Sequence, residues 1–228
     1  LETIRTRLSE VPDELSRAVI WTSLWNLTRD GEWPVRSYLD TVLNHAPAES
    51  NPTLLTTAFA NARYAIDHFV SEQAREEIRA DYAERLWEVL QAAPAGSDAQ
   101  LTVARAAIQA LAATPAESGT QRLRALYDGS LDGLALDPDI RWSILRALAA
   151  RDAVSSEELE AEKARDNTLT GAAAYLGVSQ AFPSAEVKRE VFDLVRTPGK
   201  YSNAEVDSLL AAFNAPRSGH LTEAFAQE

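Results

Sequence analysis

At 228 residues, with 46% hydrophobic and 25% charged residues, the chain can bury a sizeable core and is too apolar for disorder. Its formal net charge is −12, and lysines and arginines stand singly among acids, which argues against nucleic acid and anionic membranes as partners. There is no cysteine, hence no disulfide or thiol chemistry, and no signal peptide or bilayer-spanning apolar run, so a cytoplasmic location is expected.

Alanine, leucine, glutamate and arginine dominate, and no stretch alternates with period two, so the expected class is all-α. Leu1 to Leu8 reads as the tail of an earlier helix, with Pro12 and Asp13 at a boundary. From Asp13 to Asp30, Leu15, Val19, Ile20, Trp21, Leu24, Trp25 and Leu27 cover most of a helical circumference. That is the pattern of a helix sandwiched between two layers. Gly31 ends it, and Pro34 starts a helix with Val35, Tyr38, Leu39, Val42 and Leu43 as its stripe. Asn51 and Pro52 open a third, to about Val70. Ser71 caps a long one through Ala93, with Ile78, Tyr82, Leu86, Trp87 and Leu90 on the buried side.

Pro94 to Ser97 is the loosest joint but is too short for a domain linker. Helices follow at about Asp98 to Ala113 and Ser118 to Tyr127, then a turn at Gly129 to Gly133. Leu136 to Val191 carries three short helices in a row, each with its own start signal. Asp137 caps the first, Pro138 sits in its opening turn, and Ile140, Ile144 and Leu148 share a face. Ser155 or Ser156 opens the second, where Glu157 and Glu158 suit the positive end of the helix dipole. Thr168 caps the alanine-rich third, through Gln180, and Pro183 with Ser184 opens the next helix. Ser202 caps a last helix to Phe213, and Asn214 to Gly219 reads as loop. About a dozen short helices with tight joints cannot bury their faces in pairs. The expected architecture is therefore an α-α superhelix, a HEAT-like solenoid forming one domain over 1–228.

Catalytic patterns are missing. No His-Glu-x-x-His helix, Gly-x-Ser-x-Gly elbow or Gly-rich phosphate loop occurs. His45, His68 and His220 are far apart and lack carboxylates at ligand spacing, and His45 near a helix C-terminus fits a dipole contact. Glu157, Glu158, Glu160 and Glu162 wrap around their helix among Lys163 and Arg165, as a solvated face does. Trp21, Trp25, Trp33, Trp87 and Trp142 read as packing residues rather than a ligand groove. Arg141 and Arg146 flank the apolar face of the helix after Asp137. Either has the reach to grip a carboxylate in a cleft, but an ion pair is the simpler reading, with Asp137 four residues before Arg141.

Several segments, in order, resemble the C-terminal helical domain of bacterial aminopeptidase N, a zinc metallopeptidase, in its actinobacterial form. They are SRAVIWTSLWNLTRDGEWPVRSYLDTVLNH, LDPDIRWSILRALAARD, ARDNTLTGAAAYLGVSQAFPSAEVKREVF and SNAEVDSLLAAFNAP, and the resemblance runs from about Ser16 to Phe225. It implies a longer enzyme that removes N-terminal amino acids from peptides. In that family a Gly-Ala-Met-Glu-Asn type segment, a His-Glu-x-x-His helix with a downstream glutamate on zinc, and a tyrosine do the chemistry. None of these motifs falls on this sequence, so no catalytic, cofactor-binding or metal residue is assigned, and zinc is expected in a catalytic domain outside this stretch. The resemblance implies that the domain packs on that catalytic domain, encloses its chamber and limits access to peptides. The start at Leu1 and the absence of any methionine fit a piece cut from a longer chain. By itself the piece is expected to be inactive. The competing reading is a free-standing helical-repeat scaffold that binds another protein; an independent hydrolase would need a site that these residues do not assemble.

Overall fold

Local start signals set most helices in the computed structural model, which describes residues 1–197 and 199–227. Asp13 accepts from the Ser16 amide, Asn51 from Thr53 and Leu54, Ser97 from Gln100, Asp137 from Ile140 and Thr168 from Gly171. Ser155 with Glu158 and Ser202 with Glu205 form full capping boxes. Each such cap stabilises its helix by about 1 kcal/mol by pairing amides that have no partner inside the helix. Ser71 stands at its expected N-cap position, without a side-chain capping bond.

The fold is all-α: among the described residues there are thirteen α-helices, three short 3-10 segments and no strand. In order, the helices are α1 (Glu2–Arg7), α2 (Glu14–Arg29), α3 (Val35–His45), α4 (Pro52–Phe69), α5 (Glu72–Ala92), α6 (Asp98–Ala113) and α7 (Ser118–Tyr127). Then come α8 (Pro138–Ala149), α9 (Ser156–Arg165), α10 (Leu169–Ser179), α11 (Ala185–Val195), α12 (Asn203–Phe213) and α13 (Gly219–Thr222). Helix α1 is followed by a 3-10 turn at Leu8–Glu10. The loop read over Asn214 to Gly219 gives way to α13 at its last residue.

The chain divides into two compact units. The first holds Leu1–Ala110, Thr114–Ala116 and Leu131–Ala135; the second holds Leu111–Ala113, Glu117–Ser130 and Leu136 onward. In the first unit α4 packs on α2 and α3, α5 on α3 and α4, and α1 on α3. Leu24, Tyr38, Val42, Leu55, Ala62 and Leu86 are buried there. In the second unit α8 packs on α7 and α10, α9 on α10, and α12 on α10 and α11. Its core includes Leu126, Ile144, Leu148, Val178, Val191 and Leu209. The approach of α10 to α12 depends on Gly177, where a Cβ would lie 2.7 Å from the Ser208 carbonyl. The stripe of Ile140, Ile144 and Leu148 is fully buried, as its spacing predicts.

Candidate functional site

The best-formed polar site lies in the second unit, where α8, α9 and the turn before α10 meet. Leu136, Pro138, Arg141, Glu162, Arg165, Asp166, Asn167 and Thr168 line a cleft of about 330 Å³. At its base, Arg141 on α8 forks onto Glu162 of α9: Nε lies 2.7 and 2.9 Å from the two carboxylate oxygens, and Nη2 lies 2.6 Å from Oε2. The Tyr127 hydroxyl of α7 donates to the same Oε2 at 3.2 Å, and the Arg141 guanidinium stacks 4.4 Å from the Tyr127 ring centroid. Glu162 is only 2% exposed, so this pair sits largely out of water. The Glu162 hydrogen bonds hold Arg141 above its ordinary pKa, and burial pushes the Tyr127 phenol up.

Beside this pair, Asp166 ends α9. It accepts from Thr168 Oγ1 at 2.7 Å and from the Trp142 indole at 2.8 Å. Those two bonds hold its carboxyl below the usual range. Thr168 passes the chain on by accepting from the Gly171 amide, and a Cβ at Gly171 would collide with the Asp166 carboxylate. Tyr127 of α7 and Arg141 of α8 thus converge on Glu162 of α9. Each acid and base at the base of the cleft is held by a partner. The arrangement locks three helices together, and its exposed rim, Arg165 and Asn167, is free to meet solvent or a polar ligand.

The sequence reading of this region needs correcting on one point. Glu162 does not share the solvated face of its neighbours: it stands three residues after the buried Leu159, and the two share the inward side of α9. Arg141 makes the interhelical ion pair that its position allows, with a carboxylate 21 residues further on, and Asp137 caps α8. Glu157 and Glu160 are exposed as expected; Glu158 pairs with Arg124 of α7, and Glu160 with Tyr175 and Lys163. Arg146 is half-buried, and burial pushes its pKa down. Trp21, Trp33 and Trp142 are buried; Trp25 and Trp87 are half-buried.

The histidines serve different ends. At the close of α3, His45 is buried with both ring nitrogens engaged. Nε2 lies 2.8 Å from the Arg5 carbonyl, and Nδ1 lies 3.0 Å from Ser9 Oγ and 3.4 Å from the Ser9 amide. A carbonyl only accepts, so Nε2 carries the proton and Nδ1 accepts from Ser9. His68 is exposed and packs 4.1 Å from the Tyr64 ring. His220 lies on α13 in the other unit. A zinc ion needs several donors converging with free lone pairs. His45 has none to give, and among the described residues no group of three or more histidines, aspartates or glutamates is placed to hold a metal. These residues do not fit a zinc site. Nor, among them, is any helix long and apolar enough to cross a membrane.

An all-α chain whose buried charges join helix to helix is a helical packing domain, and comparison with known proteins gives it a family. The chain belongs to the ERAP1-like C-terminal domain family, whose model matches residues 1–228. It is similar to an aminopeptidase N of Streptomyces lividans, with 34% identity over 215 residues, covering 93% of this chain. Those residues make up 25% of the relative, so the chain spans about a quarter of that protein's length.

Proposed function

We propose that this chain is the C-terminal helical domain of a zinc aminopeptidase of the aminopeptidase N type. It packs on the catalytic domain of the same longer protein, encloses the chamber in which N-terminal amino acids are removed from peptides, and limits what enters. The observation that carries this reading is the 34% identity to an aminopeptidase N over nearly the whole chain. Zinc and the catalytic residues belong to the rest of the longer protein, which works in the cytoplasm. With a net charge of −12, the domain favours basic over acidic peptides at the chamber.

Access control is tested by comparing the longer enzyme with a form that lacks this domain. Both are given a small aminoacyl anilide and a folded protein with an exposed N-terminal residue. Zinc content reports whether the truncated form still folds its catalytic part. The reading expects the intact enzyme to cleave the anilide and spare the folded protein, and the zinc-loaded truncated form to attack both. Equal discrimination by the two forms would remove the access-control role.

A further inference from the structure

Each unit holds a packed triad of aromatic rings, and the two are finished differently. In the second unit Phe192 of α11, Phe213 of α12 and Phe225 of the 3-10 segment Glu223–Gln227 touch, with ring centroids 4.7, 5.3 and 6.1 Å apart. The chain's own cations cover this triad. The Arg189 guanidinium lies 4.3 Å from the Phe225 centroid and 5.7 Å from that of Phe192, and Arg196 lies 4.9 Å from Phe192.

In the first unit Trp25 of α2 meets Tyr64 and Phe69 of α4 in a triad of the same size. Trp25 lies 5.8 Å from Tyr64 and 5.9 Å from Phe69, and those two rings are 5.6 Å apart. Trp25 and Phe69 stack at 26°, while Tyr64 stands nearly edge-on to both, at 84° and 74°. The platform is held from behind. Trp25 rests 5.8 Å from the ring of the fully buried Tyr38 of α3. The carbonyl of the buried Val70, next to Phe69, accepts from Arg75 Nη2 at 3.0 Å. The rings are thus set in place before any ligand arrives.

This second platform has no cover. Tyr64 is 48% exposed and Phe69 36%, yet among the described residues no lysine or arginine stands over Trp25, Tyr64 or Phe69. Arg29, one turn beyond Trp25 on α2, pairs with Asp30 instead. Aromatic faces carry negative charge density, and tryptophan binds cations best of all. The first unit also holds no lysine, and its acids outnumber its arginines, so its field draws cations. Rings in mutual contact leave no slot between them, so a ligand must lie flat on their outer faces. A planar guanidinium does that.

We infer that Trp25, Tyr64 and Phe69 form a docking site for an arginine side chain of a basic peptide segment, which takes the place that Arg189 holds over Phe192 and Phe225. The inference does not rest on the aminopeptidase reading. It is tested on the 228-residue chain by nuclear magnetic resonance, with the Trp25 indole signal assigned by its loss in Trp25→Phe. The probe is a blocked peptide with three arginines spaced by glycines, and its control carries neutral citrulline at the same positions. The arginine peptide should move the Trp25 signal saturably, with a Kd below about 1 mM, and the citrulline peptide should bind about fivefold more weakly. The double substitution Y64L/F69L keeps every charge and should weaken the arginine peptide about fivefold, its thermal midpoint reporting that it folds. Tyr64→Leu alone, at the most exposed ring, carries the same comparison if the double variant does not fold. Unchanged affinity in the folded variant would overturn the inference, since an acidic protein then attracts the peptide without the rings. Equal binding of the citrulline peptide would do so too, leaving a neutral stacking surface. A Trp25 signal that moves with protein concentration alone, alongside a dimer in sedimentation that the variant abolishes, would give the face to a second copy and overturn it as well.

Discussion

Single buried polar groups decide how this chain's short helices are joined. The Arg141–Glu162 pair is the clearest case, because both charges are largely removed from water and each is satisfied mainly by the other. Breaking such a pair on one side leaves an uncompensated charge, whereas replacing both partners with apolar groups removes the desolvation cost as well. We therefore expect Arg141→Met or Glu162→Leu alone to destabilise the chain by about 3 kcal/mol, and the double variant to recover most of that loss. Urea unfolding of the four proteins checks this, and additive losses would show that the pair is not coupled. His45→Ala strips partners from the Arg5 carbonyl and Ser9 and opens a cavity, at a cost of about 2 kcal/mol in the same assay. Neither partnership was legible in the sequence. Glu162 sits in a run of four glutamates, and its separate fate follows from sharing an inward face with Leu159, a signal only one apolar residue strong. Arg17 and Glu49 pair across 32 positions, a distance at which charge spacing carries no register.

At the scale of elements, the fold was far more readable, because helix starts are local events. Asp137, Thr168 and Ser202 cap where the chain predicts, and Asp13 and Asn51, read as a boundary and a helix start, cap too, since each needs only the amides two or three residues ahead. What local pattern does not show is how the ends of helices meet. Lys188 of α11 is fully buried and donates to the Ala212 carbonyl at 2.6 Å, near the end of α12, and to that of Ala181 at 3.4 Å, just past α10. Burial pushes its amine down to about 8. Between about pH 8 and 10.5 the unfolded chain holds this proton and the folded chain releases it, so stability rises with pH across that window. Below pH 8 both states are charged and the burial penalty stands in full. The gain over the window is up to about 3 kcal/mol. Lys188→Met should flatten that rise relative to the wild type when unfolding is measured from pH 7.5 to 10.5; parallel pH profiles would mean that the amine titrates as in water.

For the whole molecule, the structure and the comparisons bear on different questions. All-α architecture follows from composition and periodicity, and family membership from ordered segments of sequence. The function we propose is not legible in any one residue, since a domain that encloses a site would contribute surface rather than chemistry. Exposed Leu15 and Val19 were read as part of a helix packed on two sides, and within the first unit only one side is covered. The central claim, that this chain is one non-catalytic domain of a zinc aminopeptidase, is tested most directly by one paired assay. Bound zinc and aminoacyl anilide hydrolysis are measured for the 228-residue chain and for the longer natural protein. We predict about one zinc per longer chain, with turnover abolished by a chelator, and neither stoichiometric zinc nor turnover in the 228-residue chain. Zinc-dependent turnover by the 228-residue chain alone, or a longer protein with no aminopeptidase activity, would contradict it.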